Sequence, residues 1–81
     1  MERYIFKNKG RAAWVLQQLN DLIQVYGVAT RRDLKELYGL KPEIRDNIFG
    51  WTNLDNALIE TINDIGEEEY ALALPQAFRI E

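Results

Sequence analysis

The sequence predicts a small α+β domain of helix-turn-helix or winged-helix-like type, with two main helices, a short third and a C-terminal β-hairpin. Three observations predict it. An amphipathic run from Ala12 to Tyr26 ends at Gly27. A second, shorter helical run opens at Thr30 and stops at Gly39. The segment Tyr70-Ala71-Leu72-Ala73-Leu74 then alternates large and small residues with the period of a strand. Eighty-one residues hold one such domain, 1–81, with a single core.

Tyr4-Ile5-Phe6, β-prone and flanked by charges, is expected to be an edge strand, followed by a basic connector Lys7-Asn8-Lys9-Gly10-Arg11. In the first helix, expected over 11–26, Ala12, Val15, Leu16, Leu19, Leu22, Ile23 and Tyr26 fall within about 120° of the helical wheel. Trp14 and Val25 lie nearly opposite that stripe. Either the N-terminal strand or a hairpin covers them, or they form an anchor for a partner, a role in which Trp is enriched. Gly27 is a helix stop, and Thr30 with Asp33 makes an Asp version of a capping box for the second helix, expected over 30–39. Leu34, Leu37 and Tyr38 give that helix its apolar stripe. Two capped helices joined by about three residues define the helix-turn-helix.

Pro42 starts the expected third helix, which carries Ile44, Ile48 and Phe49 inward, and Trp51 is the expected core anchor of this half. Residues 54–65 allow two readings. Leu54, Leu58, Ile62 and Ile65 are spaced as one helical face, a fourth helix at about 53–65. The β-branched run around 57–63 equally suits the first strand of a hairpin with 69–75, since a lone strand needs a partner.

The elements Asp33-Leu34, Gly39, Asp46-Asn47, Phe49-Gly50-Trp51-Thr52, Leu54, Ala57 and Tyr70 to Pro75, in this order, resemble a group of small proteins encoded by bacteriophages and prophages. The resemblance spans roughly 14–76. It implies two short strands joined by a tight turn in the last segment, and therefore the hairpin. The chain departs from the group in the longer, acidic connection Ile65-Gly66-Glu67-Glu68-Glu69. The resemblance carries over no activity and no site residue.

Composition narrows the chemistry. The chain has no Cys, His or Ser, so disulfides, zinc sites built on His or Cys, and the usual nucleophile–base triads have no residues to form them. No phosphate-binding glycine motif occurs, and Glu67-Glu68-Glu69 lacks the ligand spacing of a calcium loop. The expectation is a non-enzyme without cofactor, metal or small-molecule substrate. No apolar run approaches the ~20 residues that span a bilayer, and no signal peptide is evident, so a cytoplasmic, non-membrane protein is expected.

Net charge is −3 but unevenly distributed. Residues 1–45 hold nine of ten cations against five acids, +4, whereas 46–81 hold one against eight, −7. The halves either neutralise each other within the fold or face partners of opposite sign. Lys7, Lys9, Arg11, Arg31, Arg32 and Lys35 are the candidate phosphate or nucleic-acid contacts, and Trp14 and Val25 the candidate partner-binding residues. The acidic second half and a pI near 4.9 disfavour DNA. The functional expectation is therefore a protein-interaction or accessory module binding a host or phage protein or a second copy. A winged-helix-like DNA-binding regulator is the alternative.

Overall fold

Asn8 begins the first helix by accepting a hydrogen bond from the Arg11 amide at 3.0 Å, so the helix starts before Ala12 and includes half of the basic connector. The computed structural model of the chain describes residues 2–64 and 66–80, with 63 and 64 described for their backbone only. Its elements are β1 (Glu2–Phe6), α1 (Lys9–Tyr26), β2 (Ala29–Thr30), α2 (Arg31–Tyr38), a 3₁₀ turn (Ile44–Asn47), β3 (Phe49–Trp51), β4 (Leu58–Asp64), β5 (Glu67–Leu74) and β6 (Phe78–Arg79). The strands form two antiparallel three-stranded sheets, ordered β1-β5-β4 and β2-β3-β6.

The local stops and caps occur where side-chain chemistry requires them. Gly27 (φ 83°) and Gly39 (φ 99°) end α1 and α2 in the left-handed region that glycine enters without steric cost. Thr30 Oγ1 accepts from the Asp33 amide at 3.2 Å, and the Asp33 carboxylate accepts from the Thr30 amide at 2.9 Å, closing the capping box.

The helix-turn-helix or winged-helix-like architecture is not what these pieces build. Three differences overturn it. The link between the helices is the strand β2, whose Ala29 and Thr30 pair with Trp51 and Gly50, so sheet hydrogen bonds rather than a free turn set its course. The expected third helix shrinks to the one 3₁₀ turn, because Asp46 folds back onto the Glu43 amide at 2.6 Å and the chain enters β3 at Phe49. Finally, β4 and β5 are not an appended wing. β1 adds to the free side of β5 in register from Glu2↔Leu74 to Phe6↔Tyr70, making β5 the central strand of a full sheet. Residues 58–64 are accordingly strand, not a fourth helix; Ile65, part of that helical reading, lies outside the described residues.

The core lies between α1 and one face of the β1-β5-β4 sheet. Ala12, Val15 and Leu19 of α1 meet Phe6, Leu72 and Leu74, and the cluster continues through Leu34, Leu54 and Trp51. Trp51 is fully buried, and its indole Nε1 donates to the Pro75 carbonyl at 2.6 Å, satisfying the polar end of the ring. Gly50, in the central strand of the other sheet, is required by a close approach. A Cβ at this position would sit 2.2 Å from the Ala29 carbonyl oxygen and 2.9 Å from Thr30 Cα, both backbone atoms that cannot rotate away. Gly50→Ala is therefore expected to lower stability by about 3 kcal/mol, measured as a shift in the urea unfolding midpoint. A change within ~0.5 kcal/mol would show that the two strands separate without cost.

Candidate interaction surface

Four of the six candidate phosphate-binding cations are engaged within the domain. Arg31, the first residue of α2, forms a two-pronged pair with Glu2, Nε to Oε1 at 3.1 Å and a terminal nitrogen to Oε2 at 2.9 Å, and lies over the Phe49 ring at 5.5 Å. This hydrogen bond to Glu2 raises the Arg31 pKa and outweighs the opposing effect of burial. Lys35, one turn on, reaches the buried Asp46 at 2.8 Å. Arg32 bonds Glu36 at 3.0 Å and Asn47 at 3.2 Å. Arg11 donates to the Leu37 carbonyl at 3.0 Å and stacks over Trp14 at 4.9 Å. Lys9 opens α1 and Lys7 precedes it, both exposed; among the described residues neither forms an ion pair.

Sequence reasoning missed the acids that hold these cations. Glu2 and Asp46, and with them the Asn47 amide oxygen that accepts from Arg32, are far from these cations in sequence, and only the tertiary fold brings them together. The residue types carry no separate signal. Asp46 is the one buried charged side chain among the described residues. Burial would push its pKa up, but the Lys35 ammonium and the Glu43 amide outweigh it, and the carboxyl titrates below its usual range. Tyr4 shows the opposite behaviour. Burial, then the negative charge of Glu2 beside it, drives its phenol from 10.0 to about 12.

Trp14 and Val25 share one side of α1 but do not form a continuous patch. Eleven residues separate them, about 16 Å of helix. Trp14 is 44% exposed beneath the Arg11 guanidinium and Val25 is 72% exposed next to an exposed Tyr26, with polar Gln17 and Asp21 hydrogen-bonded to each other between them. Among the described residues neither side chain is enclosed.

A broader apolar surface lies on the β1-β5-β4 sheet, on the face opposite α1. The register aligns Arg3, Ala73 and Leu58 in one row, Ile5, Ala71 and Glu60 in the next, and Glu69 with Ile62 in a third. Ala71 and Ala73 are 1% and 0% exposed yet stand outside the main core cluster, because the longer side chains of β1 and β4 shield their methyls. The result is a shallow trough with an alanine floor and walls formed by Ile5, Leu58 and Ile62, 40%, 46% and 37% exposed. An exposed Arg3–Glu60 ion pair at 3.3 Å crosses it. The alternation Leu58-Ile59-Glu60-Thr61-Ile62, apolar on both sides of the strand, was the available sequence signal.

Two open clefts complete the surface. One of about 190 Å³ is lined by Arg32, Pro42, Glu43, Ile44 and Asn47, and one of about 280 Å³ between α1 and α2 by Gln18, Leu22, Asp33, Glu36 and Leu37. Asp33, the acid of the larger cleft closest to α2's start, is committed to its capping box. Among the described residues, no helix is long and apolar enough to cross a membrane. Compared with protein-family models, curated proteins and solved structures, the chain matches none.

Two pH dependences follow. With its folded pKa lowered, Asp46 stays ionised in the native state below about pH 4, where an ordinary aspartate in the unfolded chain takes up a proton. Its stabilising contribution is complete above that range and is lost as pH falls through the folded value. Asp46→Asn is expected to cost about 2 kcal/mol at neutral pH and to flatten the acid limb of the stability curve, followed by denaturant melts at stepped pH. Tyr4 works on the alkaline side. Above pH 10 the unfolded phenol ionises while the folded one keeps its proton, so stability declines until about pH 12. Phenolate absorbance should show a tyrosine titrating near pH 12 that Tyr4→Phe removes, beside the smaller upward shift that Glu68 gives Tyr70; a Tyr4 titrating with the unfolded chain would contradict the burial assigned to it.

Proposed function

We propose that this domain is a non-catalytic protein-interaction module whose contact surface is the outer trough of the β1-β5-β4 sheet. One observation carries the reading: Ile5, Leu58 and Ile62 are open to solvent on one sheet face, over the buried methyls of Ala71 and Ala73, with the Arg3–Glu60 pair among them. Surface of this kind, exposed aliphatic side chains interleaved with a few charges, suits docking to another protein. The resemblance to small phage and prophage proteins fits an accessory factor acting on a host or phage component.

The DNA-binding alternative has less support. Arg31 and Lys35 are bound to internal carboxylates and Arg32 and Arg11 are engaged by other groups, which leaves, of the six candidate contacts, a two-charge footprint of Lys7 and Lys9. Two phosphate contacts give weak, strongly salt-sensitive binding. The acidic hairpin tip, Glu67-Glu68-Glu69, adds repulsion.

The reading is tested with a photo-crosslinking residue at Ile62 and, separately, at Val25, in cells that naturally make the protein. A discrete protein adduct is expected from Ile62, reduced about tenfold by Leu58→Lys in the same chain. Absence of any Ile62 adduct, together with a duplex DNA shift at low salt that Lys7→Ala and Lys9→Ala abolish, would replace this reading with the alternative.

A further inference from the structure

The two edges of the β1-β5-β4 sheet are treated differently. The β1 edge is obstructed. Tyr38 donates its hydroxyl to the Ile5 carbonyl at 2.7 Å, and the Glu2 side chain of β1 accepts from the Ala77 amide at 2.7 Å, anchoring the C-terminal segment alongside. Among the described residues, the β4 edge has no such cover. Its seven residues pair one-to-one with β5 from Leu58↔Ala73 to Asp64↔Glu67, without a bulge, and among the described residues β5 is the only strand they pair with. β4 contains no Lys and no Pro. Apart from the charge of Glu60, the devices that usually blunt an edge are not found here among the described residues, and half of its backbone donors and acceptors face outward.

We propose that β4 takes up, along this edge, an extended segment of a partner protein in which aliphatic and basic residues alternate on the side continuous with the outer trough. The inference rests on the reading of that trough as the contact surface and specifies how it is used. An added antiparallel strand places residues directly opposite Leu58, Glu60 and Ile62, and side chains facing one another across a strand pair do best when apolar meets apolar and charge meets opposite charge. The complement is aliphatic opposite Leu58 and Ile62 and basic opposite Glu60. The field around the site has the same sign preference. Glu67 and Glu69 lie in register on the same face and meet no cation among the described residues, and Arg3, the one cation on that face, is already paired with Glu60.

A second copy of the chain fits poorly, for a reason of register. If β4 paired with its own symmetry copy and centred on Thr61, Glu60 would oppose Ile62. Centred on Glu60, the strand would set Glu60 against itself. Centred on Ile62, it would bring Glu60 against position 64, also acidic in the sequence. A shift by one residue would join the outer face of one copy to the α1-covered face of the other. Each self-pairing register thus opposes acid to acid, opposes acid to aliphatic, or mismatches the faces.

The probe is a fluorescein-labelled peptide, Lys-Thr-Leu-Thr-Lys-Thr-Leu, titrated with the intact protein by anisotropy, with amide hydrogen exchange read in parallel. Binding is expected to protect the outward amides of β4, and to weaken about tenfold when the two lysines become glutamates. Glu60→Lys should reverse that preference, and Glu69→Lys, one row across, should reduce it if Glu60→Lys does not fold. The inference falls if the lysine and glutamate peptides bind alike, if protection appears away from β4, or if β4 becomes protected with rising protein concentration and no peptide, the mark of self-pairing. Should the peptide fail while the Ile62 crosslink persists, edge addition is refuted and the trough remains a docking face. Loss of both overturns the two together.

Discussion

One carboxylate joins the parts of this domain that are farthest apart in sequence. Glu2, in the first strand, accepts hydrogen bonds from both prongs of Arg31 at the start of α2, from the Tyr4 hydroxyl at 3.4 Å, and from the Ala77 amide at 2.7 Å. The strand pairing of β1 with β5 depends on this point being satisfied, because an unpaired carboxylate or guanidinium left half-buried there costs several kcal/mol. The same contact orients Arg31 over Phe49 and so links the sheet containing β1 to the one containing β3. The two-sheet architecture is thus a consequence of electrostatics at one position as much as of apolar burial.

The charge asymmetry of the sequence is resolved largely by that logic. The basic half meets the acidic half directly in Arg3–Glu60 and Lys35–Asp46, and elsewhere cations meet acids of their own half, as in Arg31–Glu2 and Arg32–Glu36. The Lys35–Asp46 pair is the most protected of these, and it holds the 3₁₀ turn against α2. Four of the six cations that look available in a linear reading, Arg11, Arg31, Arg32 and Lys35, are structural ties, whereas Lys7 and Lys9 stay exposed.

Local chemistry was legible in the residues, and long-range pairing was not. The glycine stops at Gly27 and Gly39 and the Thr30–Asp33 box are each set by neighbours within a few positions, so short windows contain their cause. The helix-turn-helix reading failed because two correctly bounded helices say nothing about the backbone between them, and Ala29 and Thr30 take strand geometry from residues 50 and 51. The same limit hid the carboxylates facing Arg31 and Lys35. Leu58 to Ile62 was ambiguous for a different reason: a strand apolar on both sides has no clean period, and only its open outer face explains the second apolar row.

The pairing of Glu2 with Leu74 also has a kinetic side. The central strand of the main sheet gains its second neighbour from a segment about seventy residues away, a contact of very high sequence separation, and such contacts must be reached by a long loop closure before any energy is recovered. Helices α1 and α2 have the local signals to form early, but the sheet against which α1 packs cannot be completed until β5 has been synthesised. During that interval the nascent chain presents the α1 stripe without its cover. Synthesis therefore passes through a stage in which the apolar face of α1 is open to other apolar surfaces, and the domain closes only once β5 has emerged.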